Sequence, residues 1–328
     1  MSLVLLPPSE SYVEMIARSF ASISSSMIFA CERGNLDLFI FCCVIYVGWL
    51  NMRAVGFRMV SYILICALAA MKYYPITLMA LMAREKISYI LITLTAIAAL
   101  LIIFASHLHV GISMPSISIP RVGPLGMDFG AINVPFGLSI LLSPPPSMSV
   151  AAVIAYQIPL WAEFGLIVLV LCSVIWSFYA RTAYQMSLRD LTLEQKIFLI
   201  SGSVVIVTCF YIAQNIVYRE IFLLLCLPGL FKMSAASERG MRIRSTKVIV
   251  AILFLMWEEL FRVAIATAAP PLFGVKLGVG VDILFWLFRE FIWWYLVVQL
   301  LAIIIGFLSE SLINLQMGAG HRLLRRLD

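Results

Sequence analysis

The chain has 328 residues, 63% hydrophobic and 12% charged, with a mean hydropathy of +1.04 and a formal net charge of +6. A soluble domain is about 45–50% apolar and about 25% charged, so the composition excludes an ordinary water-soluble protein and points to an all-α, polytopic integral membrane protein. The positive charge sits in short segments between apolar runs, as in cytoplasmic loops, and is not the footprint of nucleic-acid binding.

Residues 1–34 form an atypical N-terminal segment. Met1–Leu6 is too short for a signal-peptide core, and Ser11–Cys31 is patchily apolar, with Glu14, Arg18 and a serine cluster, which suits an interfacial or poorly packed helix. The transmembrane domain covers 35–328. Its apolar runs are Asn35–Leu50, Met59–Met82, Ile87–Ala105, Pro159–Tyr179, Ile197–Ala213, Ile221–Phe231, Val248–Ala269 (stopped by Pro270-Pro271) and Phe291–Leu308. Residues 106–157 read as a long outer loop rich in Pro, Gly and Ser, and Arg181–Lys196 as a polar loop. About seven spans plus one broken or re-entrant helix account for the pattern. The seven cysteines are scattered, mostly within apolar runs, and read as small packing residues, not disulfides or metal ligands.

The positive-inside rule places Lys232–Lys247 and the Arg322–Arg326 tail in the cytoplasm. Counting back puts Arg84–Lys86 inside and 106–157 outside. Arg53 and Arg58 also belong inside. Both conditions hold when Met59–Met82 is a hairpin of two half-helices broken at Pro75, and Asn35 then lies at the outer face. A straight, kinked span is the alternative.

Lys72 stands out within this segment. Counted at about 1.5 Å per residue, it lies about 20 Å from Arg58 and about 18 Å from Arg84, too deep for easy snorkelling. An ionisable residue at that depth is a functional-site hypothesis. The alternative is a structural lysine neutralised by one carboxylate, for which Asp37 is a candidate.

Three short stretches recur in a suggestive order: Glu32-Arg33-Gly34-Asn35-Leu36-Asp37 at a helix start, Lys72-Tyr73-Tyr74-Pro75 some way on, and Asn215-Ile216-Val217-Tyr218-Arg219-Glu220 before a short helix. Asn35 or Asp37 could serve simply as a helix cap. The order and spacing nevertheless resemble the glycosyltransferase family 87-like membrane proteins, polyprenyl-phosphate-sugar-dependent enzymes of the GT-C type. The resemblance runs from Glu32 to Leu230. It implies a transmembrane helical bundle with an extracytoplasmic active site and a donor sugar, typically mannose, on a polyprenyl phosphate. It also implies a lipid or glycan acceptor of the cell envelope. The sequence itself holds no phosphate-cradling glycine loop, soluble nucleotide-binding segment or zinc pattern, so no cofactor and no metal are expected. Lys72, Tyr73, Arg219, Tyr218, Asn35 and Asp37 are the substrate-binding candidates. The family's catalytic aspartate follows a first transmembrane helix on an outer loop. Nothing before Glu32 matches either feature, so the chain is expected to begin inside the domain and its catalytic residue is unknown.

Other groups carry less. His107 and His109, two apart, do not share a helix face and make a poor metal site. Asp128 and Glu163 are outer-side carboxylates that would be solvated or contact a sugar. Glu258 and Arg262, at i and i+4, suit an ion pair, and Trp286, Trp293 and Trp294 suit an interfacial aromatic belt. The resulting expectation is a multi-pass protein of a bacterial inner membrane, surrounded by membrane lipids, that transfers a lipid-linked sugar. A transporter or flippase for a lipid-linked glycan and a non-catalytic membrane subunit are the alternatives.

Overall fold

The computed structural model describes residues 5–95, 98, 128–142, 158–212, 214–236, 238–273 and 275–324. Among these, the protein is all-α apart from a two-residue antiparallel ladder. The helices are α1 (Tyr12–Ser22), α2 (Ser25–Glu32), α3 (Leu36–Asn51), α4 (Val55–Met71), a first 3₁₀ helix (Tyr74–Arg84) and a helical stretch at 87–95. After β1 (Asp128–Phe129) come α5 (Asn133–Leu142), α6 (Leu160–Arg189) and α7 (Leu193–Ile212). Then follow β2 (Asn215–Ile216), a second 3₁₀ helix (Val217–Cys226), α8 (Leu227–Ser234), α9 (Arg239–Met256), α10 (Glu258–Phe273) and α11 (Val275–Leu324). In the ladder, Asp128 lies opposite Ile216 and Phe129 opposite Asn215.

Local chemistry sets the helix starts. Ser11, Ser24 and Asn35 cap α1, α2 and α3, each accepting a backbone N–H from the first turn. Thr192 and Gln195 form a reciprocal capping box at α7, with bonds of 3.2 and 3.1 Å.

Helix α7 is the axis of the core. It is apolar and buried along most of its length, whereas the equally apolar α6 is only 17% buried over its most hydropathic window. An exposed all-apolar helix is the pattern expected of a face turned toward lipid. Leu160–Arg189, Leu193–Ile212 and Leu277–Leu312 are long and apolar enough to cross a membrane. Both 3₁₀ helices pack against α7. The second comes so close that a Cβ on Gly202 would lie 2.7 Å from Cys226 Sγ and 2.8 Å from the Phe222 carbonyl oxygen. The space left by the missing side chain is what lets these backbones approach.

Several expectations change. The helix through 59–82 breaks at Lys72, which is extended (φ −149°, ψ 145°), and not at Pro75, which lies in the first turn of the first 3₁₀ helix. Proline lacks an N–H and is tolerated where a helix starts, so the interruption moves upstream of it. The segment does fold back on itself. Arg58 donates to both carboxylate oxygens of Glu85 at 2.6 and 3.0 Å, Tyr62 adds a bond of 3.0 Å to Glu85, and Arg84 donates to the Asn51 carbonyl.

Most of 181–196 is helical, because α6 continues to Arg189 and α7 begins at Leu193. The run 248–269 is interrupted at Trp257, between α9 and α10, and the two prolines fall in the last turn of α10, which ends at Phe273. Of 106–157, the described part carries β1 and α5 and is largely buried; His107 and His109 lie outside the described residues. Trp286 and Trp293 do not form a belt: both are buried, and Trp293 stacks on Phe129 at 4.3 Å. The N-terminal segment is also packed in, with Arg18 and Glu14 paired inside at 3.1 Å and Ser25 and Ser26 both donating to the Met256 carbonyl.

Polar contacts fix which ends lie together. Glu10 accepts from Gln195 at the start of α7 and pairs with Lys232 at 2.7 Å, while Lys196 pairs with Glu310 at 3.4 Å. At the far end of α7, Asn215 meets Tyr73 and β1. The basic residues of the α7 start and the α8 end therefore occupy one end of the bundle, and the Lys72 and Arg219 stretches the other.

Candidate functional site

Asp37 is the centre of the site. Asn35 ends the preceding turn and accepts the Asp37 backbone N–H at 3.2 Å, which sets the carboxylate in the first turn of α3 with no solvent exposure. Such a group must be paired. Lys72 supplies one cation, its Nζ 2.7 Å from Oδ2. Arg219, at the start of the second 3₁₀ helix, supplies another, its Nε 3.5 Å from the same oxygen. Tyr74 donates its hydroxyl to Oδ1. The extended backbone at Lys72 matters here: it turns Lys72 and Tyr74 toward α3 from either side of the helix break.

The remaining candidates adjoin this centre. Tyr73 donates to Asn215 Oδ1 at 3.2 Å and packs edge-on against Tyr74. Tyr218 is almost buried, tilted against Phe29 with ring centroids 6.0 Å apart. The Arg219 guanidinium lies 5.2 Å from the Tyr74 ring centroid, over its face. The six residues singled out by sequence thus lie in one neighbourhood, although 184 positions of chain separate Asn35 from Arg219. Asn35 acts as the helix cap, and Lys72 has Asp37 as its carboxylate partner, in line with the structural alternative for both.

Two features bear on what this cluster can do. Two cations share one carboxylate, leaving a local excess of one positive charge. The Lys72 and Arg219 side chains also keep 21% and 13% of their surface exposed, whereas Asp37 keeps none. Arg219 Nε has no hydrogen-bond acceptor among the described residues despite being shielded from solvent. An anion approaching from the exposed side would meet one lysine point charge and one guanidinium fork, a donor set suited to phosphate.

Sequence reasoning missed two members, Tyr74 and Asn215. Both stand inside the quoted stretches, and their signal is a polar group close to a charge that adjoins an apolar run.

A second charged cluster begins one residue further on, and sequence reasoning missed most of it. Glu220 turns away from Asp37 and accepts from Ser26 at 2.5 Å. Beyond it, Arg289 lies 3.5 Å from Glu258 and 2.5 Å from Glu290, and also donates to the Asp128 carbonyl at 2.7 Å. Asn133 bridges the Asp128 carbonyl and Glu290 at 2.8 and 3.3 Å. Glu258 therefore does not pair with Arg262, which takes Glu259 at 2.7 and 2.9 Å. The i,i+3 neighbour is the closer one on this surface, and Glu258 points inward. Asp128 is buried here and not solvated, and burial pushes its carboxyl up to about 7 against the opposing pull of Arg289. Glu163 is exposed and joins neither cluster. Among the described residues, no group of three or more His, Cys, Asp or Glu is arranged to hold a metal ion.

A cleft of about 730 Å³ lies between α6, α9 and α11, and none of the Asp37 cluster lines it. No family model, no curated protein and no solved structure matches this chain.

Proposed function

We propose that the protein is a multi-pass membrane glycosyltransferase of the GT-C type, with about seven spans and a re-entrant hairpin at 59–82. In this reading it resides in a bacterial inner membrane and moves a sugar, typically mannose, from a polyprenyl phosphate to a cell-envelope glycan or lipid. The observation that carries the reading is the cationic excess at Asp37: Lys72 and Arg219 converge on one carboxylate and retain exposed surface for an anion.

In such a transfer the acceptor hydroxyl attacks the anomeric carbon. The bond from that carbon to the phosphate oxygen breaks, the phosphate departs with an added negative charge, and the acceptor's hydroxyl proton is released to water. Lys72 and Arg219 would stabilise that charge, worth most in a water-poor site where the donors are already positioned. Tyr73, more than a third exposed, offers its hydroxyl to a sugar, and the buried Asn215 holds that hydroxyl in place. Asp37 already receives Tyr74, Lys72 and Arg219, so its role is to hold the cations in place; no residue here is assigned as the base.

The test compares wild type with Arg219→Lys in one detergent, measuring affinity for a polyprenyl phosphate and donor-dependent sugar transfer. A guanidinium fork on phosphate should not tolerate lysine, and binding should weaken by about 1.5–3 kcal/mol. Equal affinities would remove Arg219 from the phosphate site. Tight binding with no transfer to any envelope acceptor would overturn the enzyme and leave a carrier of lipid-linked glycan or a non-catalytic subunit.

A further inference from the structure

The large cleft between α6, α9 and α11 has two chemically different ends. At one, Arg244 and Lys247 stand a turn apart on α9. Arg244 lies over the Tyr184 ring at 5.7 Å, and Tyr184 in turn donates to Gln299 at 2.9 Å. Neither cation has a salt bridge among the described residues, and Arg244 Nη1 is shielded from solvent without a hydrogen-bond acceptor there. At the other end the cleft reaches Glu290, nine residues before Gln299 on α11, or about 13 Å along the helix. Between them the walls are apolar, including Leu169, Trp176, Phe291 and Val298, with Trp176 and Phe291 about two-thirds exposed.

A free anion would satisfy the cations but leave the apolar walls uncovered. A neutral hydrocarbon would cover the walls but leave two unpaired cations. One molecule does both. We propose that the cleft holds a single anionic glycerophospholipid, its phosphate between Arg244 and Lys247 and one acyl chain running along α11 toward Glu290. The far end fixes the orientation, because Glu290 there is already paired with Arg289 at 2.5 Å and that end offers a phosphate a carboxylate and no cation comparable to Arg244 and Lys247. Arg244 and Lys247 lie in the basic stretch that the charge pattern assigns to the cytoplasm, where anionic lipid is attracted to clustered basic residues. The volume is that of an ordinary ligand pocket. The inference does not depend on sugar transfer; it requires only that the protein reside in a bilayer.

The experiment is native mass spectrometry of the full chain, purified and delipidated in a non-ionic detergent, titrated with phosphatidylglycerol and, separately, with phosphatidylcholine. The expected result is a saturable one-to-one phosphatidylglycerol adduct at least several-fold tighter than phosphatidylcholine. Arg244→Gln/Lys247→Gln should weaken it roughly tenfold. Cys172→Trp, which fills the exposed side of the cleft and leaves both cations in place, should weaken both lipids. If Arg244→Gln does not fold, the exposed Lys247→Gln and Cys172→Trp decide. Equal affinity for the two lipids, no effect of these variants, or full displacement by equimolar glycerol phosphate would each overturn the proposal.

Discussion

Replacing Asp37 by Asn should destabilise the protein more than replacing Lys72 by Met, and the structure sets the order. Asp37 is fully buried and, among the described residues, carries the one negative charge that Lys72 and Arg219 share. Neutralising it strands two partly buried cations, and losing one partner of a buried ion pair costs about 3–5 kcal/mol. Removing the lysine is milder. Asp37 still accepts from Tyr74, and Arg219 remains 3.5 Å away to balance its charge. The loss is then one charge-assisted hydrogen bond at 2.7 Å, about 1.5–3 kcal/mol. The assay is thermal unfolding of both variants in the same detergent, read by loss of the monodisperse folded species. Folded Lys72→Met should also bind polyprenyl phosphate more weakly than wild type. A Lys72→Met variant destabilised as much as Asp37→Asn would refute the reasoning, since it would mean that Arg219 does not share Asp37. Unchanged lipid affinity in a folded Lys72→Met would show the lysine to be purely structural.

Two further outcomes are expected. Single cysteines at Arg53 and Lys86, in a cysteine-free background, should both resist an impermeant thiol reagent added outside, because the Arg58–Glu85 pair holds the two ends of the hairpin together; labelling of one and not the other would require a full span. For Asp128, the folded-state carboxyl is raised from 3.8 to about 7, so the folded protein binds more protons than the unfolded chain between those values. That contribution to stability is present at about pH 4 and lost as pH rises toward 7. Asp128→Asn should flatten this part of the stability profile, and a slope unchanged by the substitution would assign it to other carboxylates.

How far the sequence could be read depended on distance and on period. The Asn35, Lys72 and Arg219 stretches were legible because a charge in an apolar run has few benign explanations. The pairing of Lys72 with Asp37 was one candidate among others, since only the fold brings a helix start against a helix break 35 positions on. Arg289 and Glu290 do not stand out in the sequence, because they immediately precede the apolar run Phe291–Leu308 and look like its polar flank. In the structure α11 begins at Val275, and both residues face inward from the middle of a helical stretch. With them hidden, Glu258 was matched to the nearest arginine in sequence, whereas Arg289 lies 31 positions away. The burial of Trp293 is hidden for a related reason: its stacking partner Phe129 comes from 106–157, whose Pro, Gly and Ser content reads as a loop. The 3₁₀ helices left no sequence signature, because short apolar runs look alike at 3.0 and 3.6 residues per turn.

The winding of the first 3₁₀ helix has a consequence for length. From Arg58 to Lys72 the chain climbs as an α-helix, about 21 Å at 1.5 Å per residue. The return from Tyr74 to Glu85 has fewer residues, but at about 2.0 Å each it descends about 22 Å. The two legs therefore match, and Arg58 and Glu85 meet at their feet. Wound as an α-helix, the same residues would descend only about 16 Å and leave Glu85 roughly one turn short of its arginine. The tighter coil lets a short return leg span the same depth as a longer outgoing one, so that a single ion pair closes the hairpin while Lys72 is held at its far tip.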